Sequence, residues 1–358
     1  MAQRWIGSAG VPARADYADK VSATSIKSGT AIGIALLVLG DRWTLLILQR
    51  AFVLHTRRFG DWREQLGLSE STLAARLRDL VAAELMERVP YDHNNRTREE
   101  YMLTPRALEL SSLLLAIWGW EQVSVSGVEG APVLIHDACG DVTLPLLGCG
   151  VCGVAPVTAR ETSAERGAEG EFAKISVPRL HRRAKELGTP ADALSYYPET
   201  MEILGDRWST AILAAAFLGV RRFNHFKAEL GISQSILSDR LRRFVAAGVL
   251  HAPSPEGEYR LTTKGMNFFP VFAILVDWAQ RWYSAESANE LTIRHTSCGS
   301  QLRPVLLCSQ CGKELVRTSV HFDLPSTIAL QRSSIEEAAA SGNHTSQHPA
   351  APAIPPRA

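Results

Sequence analysis

The chain contains the same segment twice, and this repeat restricts the possible folds more than any other sequence feature. "LGDRW" occurs at residues 39–43 and again at residues 204–208. The similarity continues from Arg57 and from Arg221, where "RRFGDWREQLGLSESTLAARLRDLVAAELM" aligns with "RRFNHFKAELGISQSILSDRLRRFVAAGVL". Because an internal repeat indicates a repeated structural unit, the sequence predicts two diverged copies of one module. The length of 358 residues also exceeds the size at which a single core stops growing.

Each copy has the pattern of a helix-turn-helix. Asp41 and Asp206 precede apolar residues at helical spacing and are suitable N-caps. A later helix is predicted to end at Gly67 or Gly231, and the following "GLS" or "GIS" supplies a turn and a serine cap for the next helix. Two short helices joined by a short glycine-containing turn are typical of DNA-binding helix-turn-helix units.

The helix after this turn is predicted to be the recognition helix. One face is apolar, and the other carries small polar residues and arginines, which can contact bases in a major groove. Paired arginines ahead of the preceding helix can contact phosphates, although an exposed surface arginine is the simpler interpretation for each. Glu70, near the start of the first recognition helix, would lie unfavourably close to a phosphate.

The segment "ERVPYDHNNRTREEYMLT" has the pattern of two strands around a polar tip, which makes the unit a winged helix. The second copy shortens it to "HAPSPEGEYRLT", where Glu256 and Glu258 flank the tip, so the second wing is expected to contact phosphates poorly. Across both copies the predicted DNA-binding residues are Arg57, Arg58, Ser71, Thr72, Arg76, Arg96, Arg98, Arg221, Arg222, Ser235 and Arg240.

The ordered motifs "LGDRWTLLIL", "RRF", "LGLSESTLAARLRDLVAAELMER", "YMLT" and "WGWEQ", and their counterparts in the second copy, resemble the HxlR-type winged helix-turn-helix transcriptional regulators. The resemblance covers roughly half the chain. Because members form dimers through paired terminal helices, it implies that this chain is a single-chain pseudo-dimer. The segments "LSSLLLAIWGWEQ" and "FFPVFAILVDWAQRWY", apolar on nearly all sides, favour pairing with each other, and the alternative is that each completes its own domain core. Members often carry a cysteine before the first helix, but this sequence has Tyr197 before Pro198, which speaks against a thiol switch there.

The six cysteines form two clusters that suggest metal binding. Each appendage following a module reads H-x2-C-x9-C-x2-C, and three thiols with an imidazole can complete a structural zinc site. The expectation is therefore up to two structural zinc ions, one per appendage, and the histidines are the least diagnostic ligands. The alternative is a pair of reduced, metal-free cysteine hairpins. The predicted ligands are His136, Cys139, Cys149, Cys152, His295, Cys298, Cys308 and Cys311.

Charge and hydropathy restrict the partners. The formal net charge of +1 provides no protein-wide attraction for polyanions, so DNA binding must use local patches. The apolar runs are shorter than the roughly 20 residues of a membrane span, and the chain is expected to be cytoplasmic with no membrane partner. The sequence contains no nucleophile–base pair or phosphate loop, which argues against an enzyme.

These observations predict a mainly α fold, an α+β winged helix, with two tandem winged helix-turn-helix domains each followed by a small zinc-ribbon-like hairpin. The predicted function is sequence-specific binding of double-stranded DNA, with repression as the expected outcome. The alternatives are a protein-interaction module with degenerate helix-turn-helix folds and a zinc/thiol redox-sensing regulator. Further homodimerisation stays open, and the sequence identifies no inducer. The predicted boundaries are a flexible segment 1–28, first winged helix 29–125, first hairpin 126–160, linker 161–192, second winged helix 193–284, second hairpin 285–322 and disordered tail 323–358.

Overall fold

The computed structural model describes residues 30–93, 96–125, 132–165, 194, 198–283 and 291–324. The predicted flexible segment 1–28 lies outside the described residues, as do residues 166–192 of the predicted linker and 325–358 of the predicted tail. In the part of the chain that is described, no helix has both the length and the apolar character needed to cross a bilayer.

The first module has six helices and a two-stranded wing. Its elements are α1 (Ala31–Leu39), α2 (Arg42–Val53), α3 (Phe59–Leu66), α4 (Glu70–Ala82), β1 (Met86–His93), β2 (Arg96–Leu103), α5 (Pro105–Leu108) and α6 (Ser111–Ser124).

The predicted caps are confirmed in this module. The Asp41 carboxylate accepts hydrogen bonds from two backbone N–H groups at the start of α2. Gly67 ends α3 with φ of 61°, a left-handed conformation that glycine adopts without a Cβ penalty. Ser69 accepts the Thr72 N–H at the start of α4. Helices α3 and α4 and the turn between them thus form the predicted helix-turn-helix.

The second module repeats this order with a reduced wing. Its helices are α7 (Pro198–Leu204), α8 (Arg207–Phe217), α9 (Phe223–Leu230), α10 (Gln234–Ala246), α11 (Thr263–Met266) and α12 (Phe269–Tyr283). Asp206, Gly231 and Ser233 occupy the same cap positions as in the first copy. Between α10 and α11, a single antiparallel bridge joins Leu250 to Leu261 in place of extended strands, and Glu258 forms another single bridge with Arg222, which precedes α9.

Helices from the two modules pack directly against each other. Helix α1 lies against α12, and α6 also contacts α12. Trp120 on α6 donates its Nε1 hydrogen to the Lys264 carbonyl at 3.0 Å, and the equivalent Trp278 on α12 donates to the Arg106 carbonyl at 3.1 Å. Both tryptophans are almost fully buried. Each terminal helix is therefore fixed to the opposite module by a matching bond.

The two "LGDRW" segments meet at this junction. Asp41 and Asp206 form an antiparallel bridge, so the two copies of the motif lie side by side. A Cβ on Gly40 would lie 2.9 Å from the Cα of Arg207, closer than Cβ atoms approach a backbone. A Cβ would also lie 2.5 Å from the Leu36 carbonyl oxygen, so both the end of α1 and the close approach of the two modules favour glycine at this position.

Seven short strands form the appendages: β3 (Val133–His136), β4 (Asp141–Val142), β5 (Pro145–Cys149), β6 (Thr162–Glu165), β7 (Thr292–His295), β8 (Pro304–Cys308) and β9 (Val320–Asp323). Strand β3 pairs with β4 and β9, β5 pairs with β8, and β6 pairs with β7, all antiparallel. Three of these four pairings join one appendage to the other. The predicted fold class is confirmed, but the two hairpins are interleaved.

Candidate DNA interface and cysteine–histidine clusters

The recognition helices present the polar faces that the sequence predicts. In α4 the side chains of Leu73, Leu77 and Leu80 are buried, and in α10 those of Leu237, Leu241 and Phe244 are buried. The opposite face of α4 exposes Ser71 and Arg78, and that of α10 exposes Ser235, Ser238 and Arg242. Thr72 is partly covered, and its hydroxyl lies 2.8 Å from that of Ser69.

Arg76 and Arg240, predicted to contact DNA, are held inside the protein. The Arg76 guanidinium donates to the Asp41 carboxylate through Nε at 2.8 Å and Nη2 at 2.9 Å, and only 19% of its side chain is exposed. In the second copy, Arg240 Nε lies 2.9 Å from Asp206 Oδ2, with 13% of the side chain exposed. Each guanidinium thus neutralises the N-cap aspartate of its own module, a partner that the sequence analysis did not foresee, and its contact with DNA stays a prediction.

Asp239 gives the second recognition helix a different charge distribution. It forms ion pairs with Arg240, Arg242 and Arg243 at 2.5 to 2.9 Å. Although partial burial opposes ionisation, hydrogen bonds from Arg242 and Arg243 lower the pKa of Asp239 below its usual value. The first copy has Ala75 at this position. The positive charge on α10 is thus partly neutralised, whereas Arg78 on α4 bonds the Ala74 carbonyl and faces no carboxylate in the described residues.

The two wings differ as predicted. Strands β1 and β2 pair from Met86 opposite Leu103 to His93 opposite Arg96. Arg96 and Arg98 are exposed near the tip, and neither forms an ion pair within the described part of the chain. In the second wing, Arg260 lies 2.9 Å from Glu258, so its charge is partly neutralised.

The arginine pairs ahead of α3 and α9 lie beside their wings. Arg57 lies 3.8 Å from Glu100, and the Arg58 guanidinium stacks 4.8 Å from the Tyr91 ring centre. Arg221 is exposed, and Arg222 lies 3.7 Å from Glu258. Each wing is thus flanked by the arginine pair of its own module, and the predicted phosphate contacts of these four side chains stay a prediction.

The cysteine and histidine side chains converge in two clusters, but not as expected. One cluster contains His136, Cys139, Cys308 and Cys311, and the other contains Cys149, Cys152, His295 and Cys298. Within each cluster the ligand atoms lie within 4.8 Å of one another. The expectation that each appendage closes its own site is therefore wrong. Each cluster combines the H-x2-C segment of one copy with the C-x2-C segment of the other.

Strand pairing explains the exchange. Strand β5 pairs with β8 and not with its own β3, so it carries the C-x2-C turn at its end toward the other appendage. The register places Cys149 opposite Pro304 and Pro145 opposite Cys308, at the two ends of the ribbon. Thr143, just before β5, donates its hydroxyl hydrogen to the Cys308 sulfur at 3.2 Å. The sequence analysis did not identify this threonine, because the contact spans 165 residues.

The local turns favour ionised thiols at one position of each cluster. Burial opposes ionisation of Cys308, but hydrogen bonds from Thr143 and from the backbone N–H groups of Cys311 and Gln310 lower its pKa to about 6. At Cys149 burial is likewise outweighed by the backbone N–H groups of Cys152 and Val151, and the pKa falls to about 7. Thiolates are the form in which cysteine binds metal ions. Although backbone hydrogen bonds oppose this, the pKa of Cys139 and that of Cys152 are raised by burial and by neighbouring thiols, so it is the convergence of three thiols and one imidazole within 4.8 Å that makes each cluster able to hold a metal ion.

Comparison with known proteins gives a consistent assignment. Residues 38–127 and 203–287 match the HxlR-like helix-turn-helix family. The chain is 36% identical over 125 residues to the uncharacterized HTH-type transcriptional regulator Rv3095 of Mycobacterium tuberculosis, a match covering 34% of this chain and 79% of that protein. It is 33% identical over 89 residues to the uncharacterized HTH-type transcriptional regulator YdeP of Bacillus subtilis, covering 23% of this chain and 70% of that protein. Among solved structures, PA1607, a candidate transcription factor, is 30% identical with a TM-score of 0.31, covering 34% of this chain and 89% of that one.

Proposed function

The chain belongs to the HxlR-like helix-turn-helix family, and its relatives named above are described as uncharacterized HTH-type transcriptional regulators. On that premise we propose that the chain regulates transcription by binding double-stranded DNA as a single-chain pseudo-dimer. Helices α4 and α10 would enter two successive major grooves, about 34 to 36 Å apart on one face of the duplex. The role is that of a DNA-binding protein, not of an enzyme.

One observation carries this proposal: both recognition helices are anchored to the same junction. Arg76 on α4 bonds Asp41, Arg240 on α10 contacts Asp206, and the two aspartates lie on neighbouring bridged segments. The anchor sits on the side of each helix that faces the protein, which leaves Ser71 and Ser235 exposed. Such an arrangement supports two recognition helices held in a fixed relation, as a two-half-site operator requires.

The two half-sites need not be identical. On α10, Asp239 neutralises part of the arginine charge, and the second wing pairs Arg260 with Glu258. The first copy keeps Arg78, Arg96 and Arg98 available on its exposed surface. We therefore propose that the first module supplies the larger share of the phosphate contacts. It is the module expected to bind its half-site more tightly.

We further propose that the protein acts as a repressor. A rigid body that occupies about two turns of duplex blocks access to a promoter without needing to contact another protein. In a purified transcription assay on a template carrying the selected operator, added protein should lower transcript yield. An increase would assign it as an activator.

Selection from random duplexes tests DNA binding directly. The intact, metal-loaded protein should enrich a sequence with two separated conserved blocks, and a variant with α4 and α10 surfaces altered by Arg78→Ala and Arg242→Ala should enrich it less. Failure of the wild-type protein to enrich any sequence at low salt would reject the proposal and favour a protein-interaction module.

We also propose that the ion held by the two clusters is zinc in a structural role. Three cysteines and one histidine fill a tetrahedral coordination shell with protein ligands and leave no open position for a water or substrate. Elemental analysis of the protein purified without added metal should find zinc.

A further inference from the structure

Each cysteine–histidine cluster takes ligands from both copies, a feature that DNA recognition by itself does not explain. We infer that each cluster is a zinc site shared between the copies, so that two ions clasp the two halves of the chain and support simultaneous binding of two half-sites. The effect on DNA rests on the proposed function, whereas the assignment of the shared sites does not.

The distances fit four ligands around one ion. Zinc–sulfur and zinc–nitrogen bonds of about 2.3 and 2.0 Å in a tetrahedron place neighbouring sulfurs about 3.8 Å apart and sulfur and nitrogen about 3.5 Å apart. In the first cluster, Cys139 Sγ lies 3.9 Å from Cys308 Sγ, and His136 Nδ1 lies 3.5 Å from Cys139 Sγ and 3.3 Å from Cys311 Sγ.

The second cluster repeats this geometry. His295 Nδ1 lies 3.3 Å from Cys152 Sγ and 3.5 Å from Cys298 Sγ. His136 and His295 are almost completely buried, with Nδ1 of each directed at the thiols. Each buried Nδ1 therefore faces two thiols of its cluster, and a bound ion would be a common partner for all of these ligand atoms.

All four ligand-bearing segments form the same tight turn. Each has two ligands separated by two residues, followed by a glycine with positive φ of 69° to 77°, and the glycines are Gly140, Gly153, Gly299 and Gly312. The backbone N–H of Gly140 bonds the His136 carbonyl at 2.8 Å, and the N–H of Gly312 bonds the Cys308 carbonyl at 3.0 Å. These turns hold both side chains of a pair on one side, as zinc-binding turns require.

The clusters are connected to the helices that join the modules. Trp118 on α6 donates to the Pro132 carbonyl at 3.3 Å and packs edge-on against Phe322 of β9, with ring centres 5.5 Å apart. Pro145 at the start of β5 lies against Gly119 of α6 so closely that a Cβ there would be 2.6 Å from its Cγ. Strand β8 also contacts α12. Metal binding at the clusters therefore stabilises the same helix pair that fixes the two modules.

Paired cysteine variants distinguish shared sites from one site per appendage. Cys139→Ser with Cys311→Ser removes two ligands from one cluster and leaves the other cluster intact. In a cobalt(II) titration this variant should therefore bind about one ion per chain, against about two for the wild type. The spectrum of the remaining bound cobalt(II) should keep its tetrahedral thiolate form. Cys139→Ser with Cys152→Ser removes one ligand from each cluster and should leave no site with a normal spectrum. All three positions are at least partly exposed, which limits the effect of the substitutions on folding.

The reciprocal pairs provide matched controls. Cys152→Ser with Cys298→Ser should behave as the first variant, and Cys298→Ser with Cys311→Ser as the second. The opposite pattern, in which variants within one appendage keep an intact site and variants across appendages lose both, would overturn the inference. A wild-type protein that binds no cobalt(II) or zinc would overturn it as well.

A measurement on the unaltered chain does not depend on variant folding. One equivalent of zinc and then an alkylating agent are added to the metal-free protein. Fragmentation of the undigested chain in a mass spectrometer then identifies which cysteines are protected from alkylation in the same molecule. Protection of Cys139, Cys308 and Cys311 together, or of Cys149, Cys152 and Cys298 together, is expected. Protection of the three cysteines of one appendage would contradict shared sites.

The consequence for DNA is measured separately. Removing zinc with a chelator should weaken binding to a duplex with two half-sites by at least about tenfold, and should change binding to a single half-site far less, because only the paired mode needs the modules in register. Equal weakening of binding to the two duplexes would refute the inference that the shared zinc sites support simultaneous binding of two half-sites. If metal-loaded protein bound no DNA, the proposed function would fail while the cobalt(II) result would still assign the sites.

Discussion

Asp41 serves two structural purposes in one side chain. Its carboxylate caps α2 by accepting the Trp43 and Thr44 N–H groups, both at 3.1 Å, and it also holds the Arg76 guanidinium of the recognition helix. Asp206 does the same in the second copy. The aspartate that both copies share thus fixes the position of a recognition helix through the arginine that it binds.

This arrangement predicts that Arg76 acts through stability and positioning. Arg76→Ala should lower the free energy of unfolding by about 1 to 3 kcal/mol, because it leaves a partly buried carboxylate without its partner. It should weaken DNA binding without changing the salt dependence, since a neutralised guanidinium displaces no counterions.

Arg78→Ala is the matched control for Arg76→Ala on the same helix. Arg78 is exposed, so its loss should leave stability nearly unchanged and lower the salt slope by about one. Urea denaturation and binding titrations at several salt concentrations measure both quantities. A lower salt slope with unchanged stability for Arg76→Ala would restore its predicted DNA contact.

Glu70 offers a second test at the residue scale. Its carboxylate lies 2.5 Å from Arg63 on α3, and both side chains are more than half exposed. Replacing Glu70 with glutamine, the residue that the second copy carries as Gln234, removes a negative charge from the start of the proposed recognition helix and frees Arg63 from its ion pair. Glu70→Gln should therefore raise DNA affinity roughly threefold to tenfold, or about 1 kcal/mol. Gln234→Glu should lower it, and no response in fluorescence anisotropy from either change would place both residues away from the phosphates.

Among the elements, the first wing carries charges that its own sheet does not neutralise. Changing Arg96 and Arg98 together to alanine should weaken binding to many sequences alike and lower the salt slope by up to about two, one for each phosphate contact. Arg260→Ala in the second wing serves as the control, because Glu258 already lies beside that guanidinium. A larger slope change for Arg260→Ala would mean that the second module makes the stronger backbone contacts.

The elements themselves were predictable because their signals are local. Asp41, Gly67 and Ser69 act on backbone groups within three or four residues, so spacing alone indicates where α2, α3 and α4 begin or end. The cluster grouping was not predictable in this way. Cys149 and Cys308 each end a strand of the same length and begin the same C-x2-C spacing. Only the pairing of β5 with β8 decides which histidine each cysteine meets.

The partner of Arg76 was hidden for the same physical reason. Helical periodicity places this arginine near the edge of the polar face, but it cannot reveal a carboxylate 35 residues earlier in the chain. Long-range ion pairs and strand exchange depend on how elements pack, and the alignment of the two copies supplies no information on that packing. The sequence identified the arginine and the cysteines as candidate site residues, but only the structure showed which residues they contact.

At the scale of the whole molecule, the two modules share one continuous hydrophobic core that also includes the appendages. Trp120 and Trp278 each bond a backbone carbonyl of the opposite module, and the cysteine–histidine clusters link the appendages in the same crossed manner. The two modules are therefore joined by their packed helices, by the bridge between the "LGDRW" segments and by the shared clusters. Because of these three connections, they should move as one rigid body. Its two recognition helices then have one fixed separation.

A fixed separation predicts a strict dependence on half-site spacing. Inserting about 5 base pairs between the half-sites turns the second one to the opposite face of the duplex, and binding should fall by about 100-fold or more toward that of the first half-site alone. Inserting about 10 base pairs restores the face but adds roughly one helical turn of distance, so a rigid junction should recover no affinity. Anisotropy titrations on the three duplexes measure this, with the single half-site as reference. Recovery of tight binding at the longer insertion would show that the modules move independently, since only a flexible connection can span both spacings.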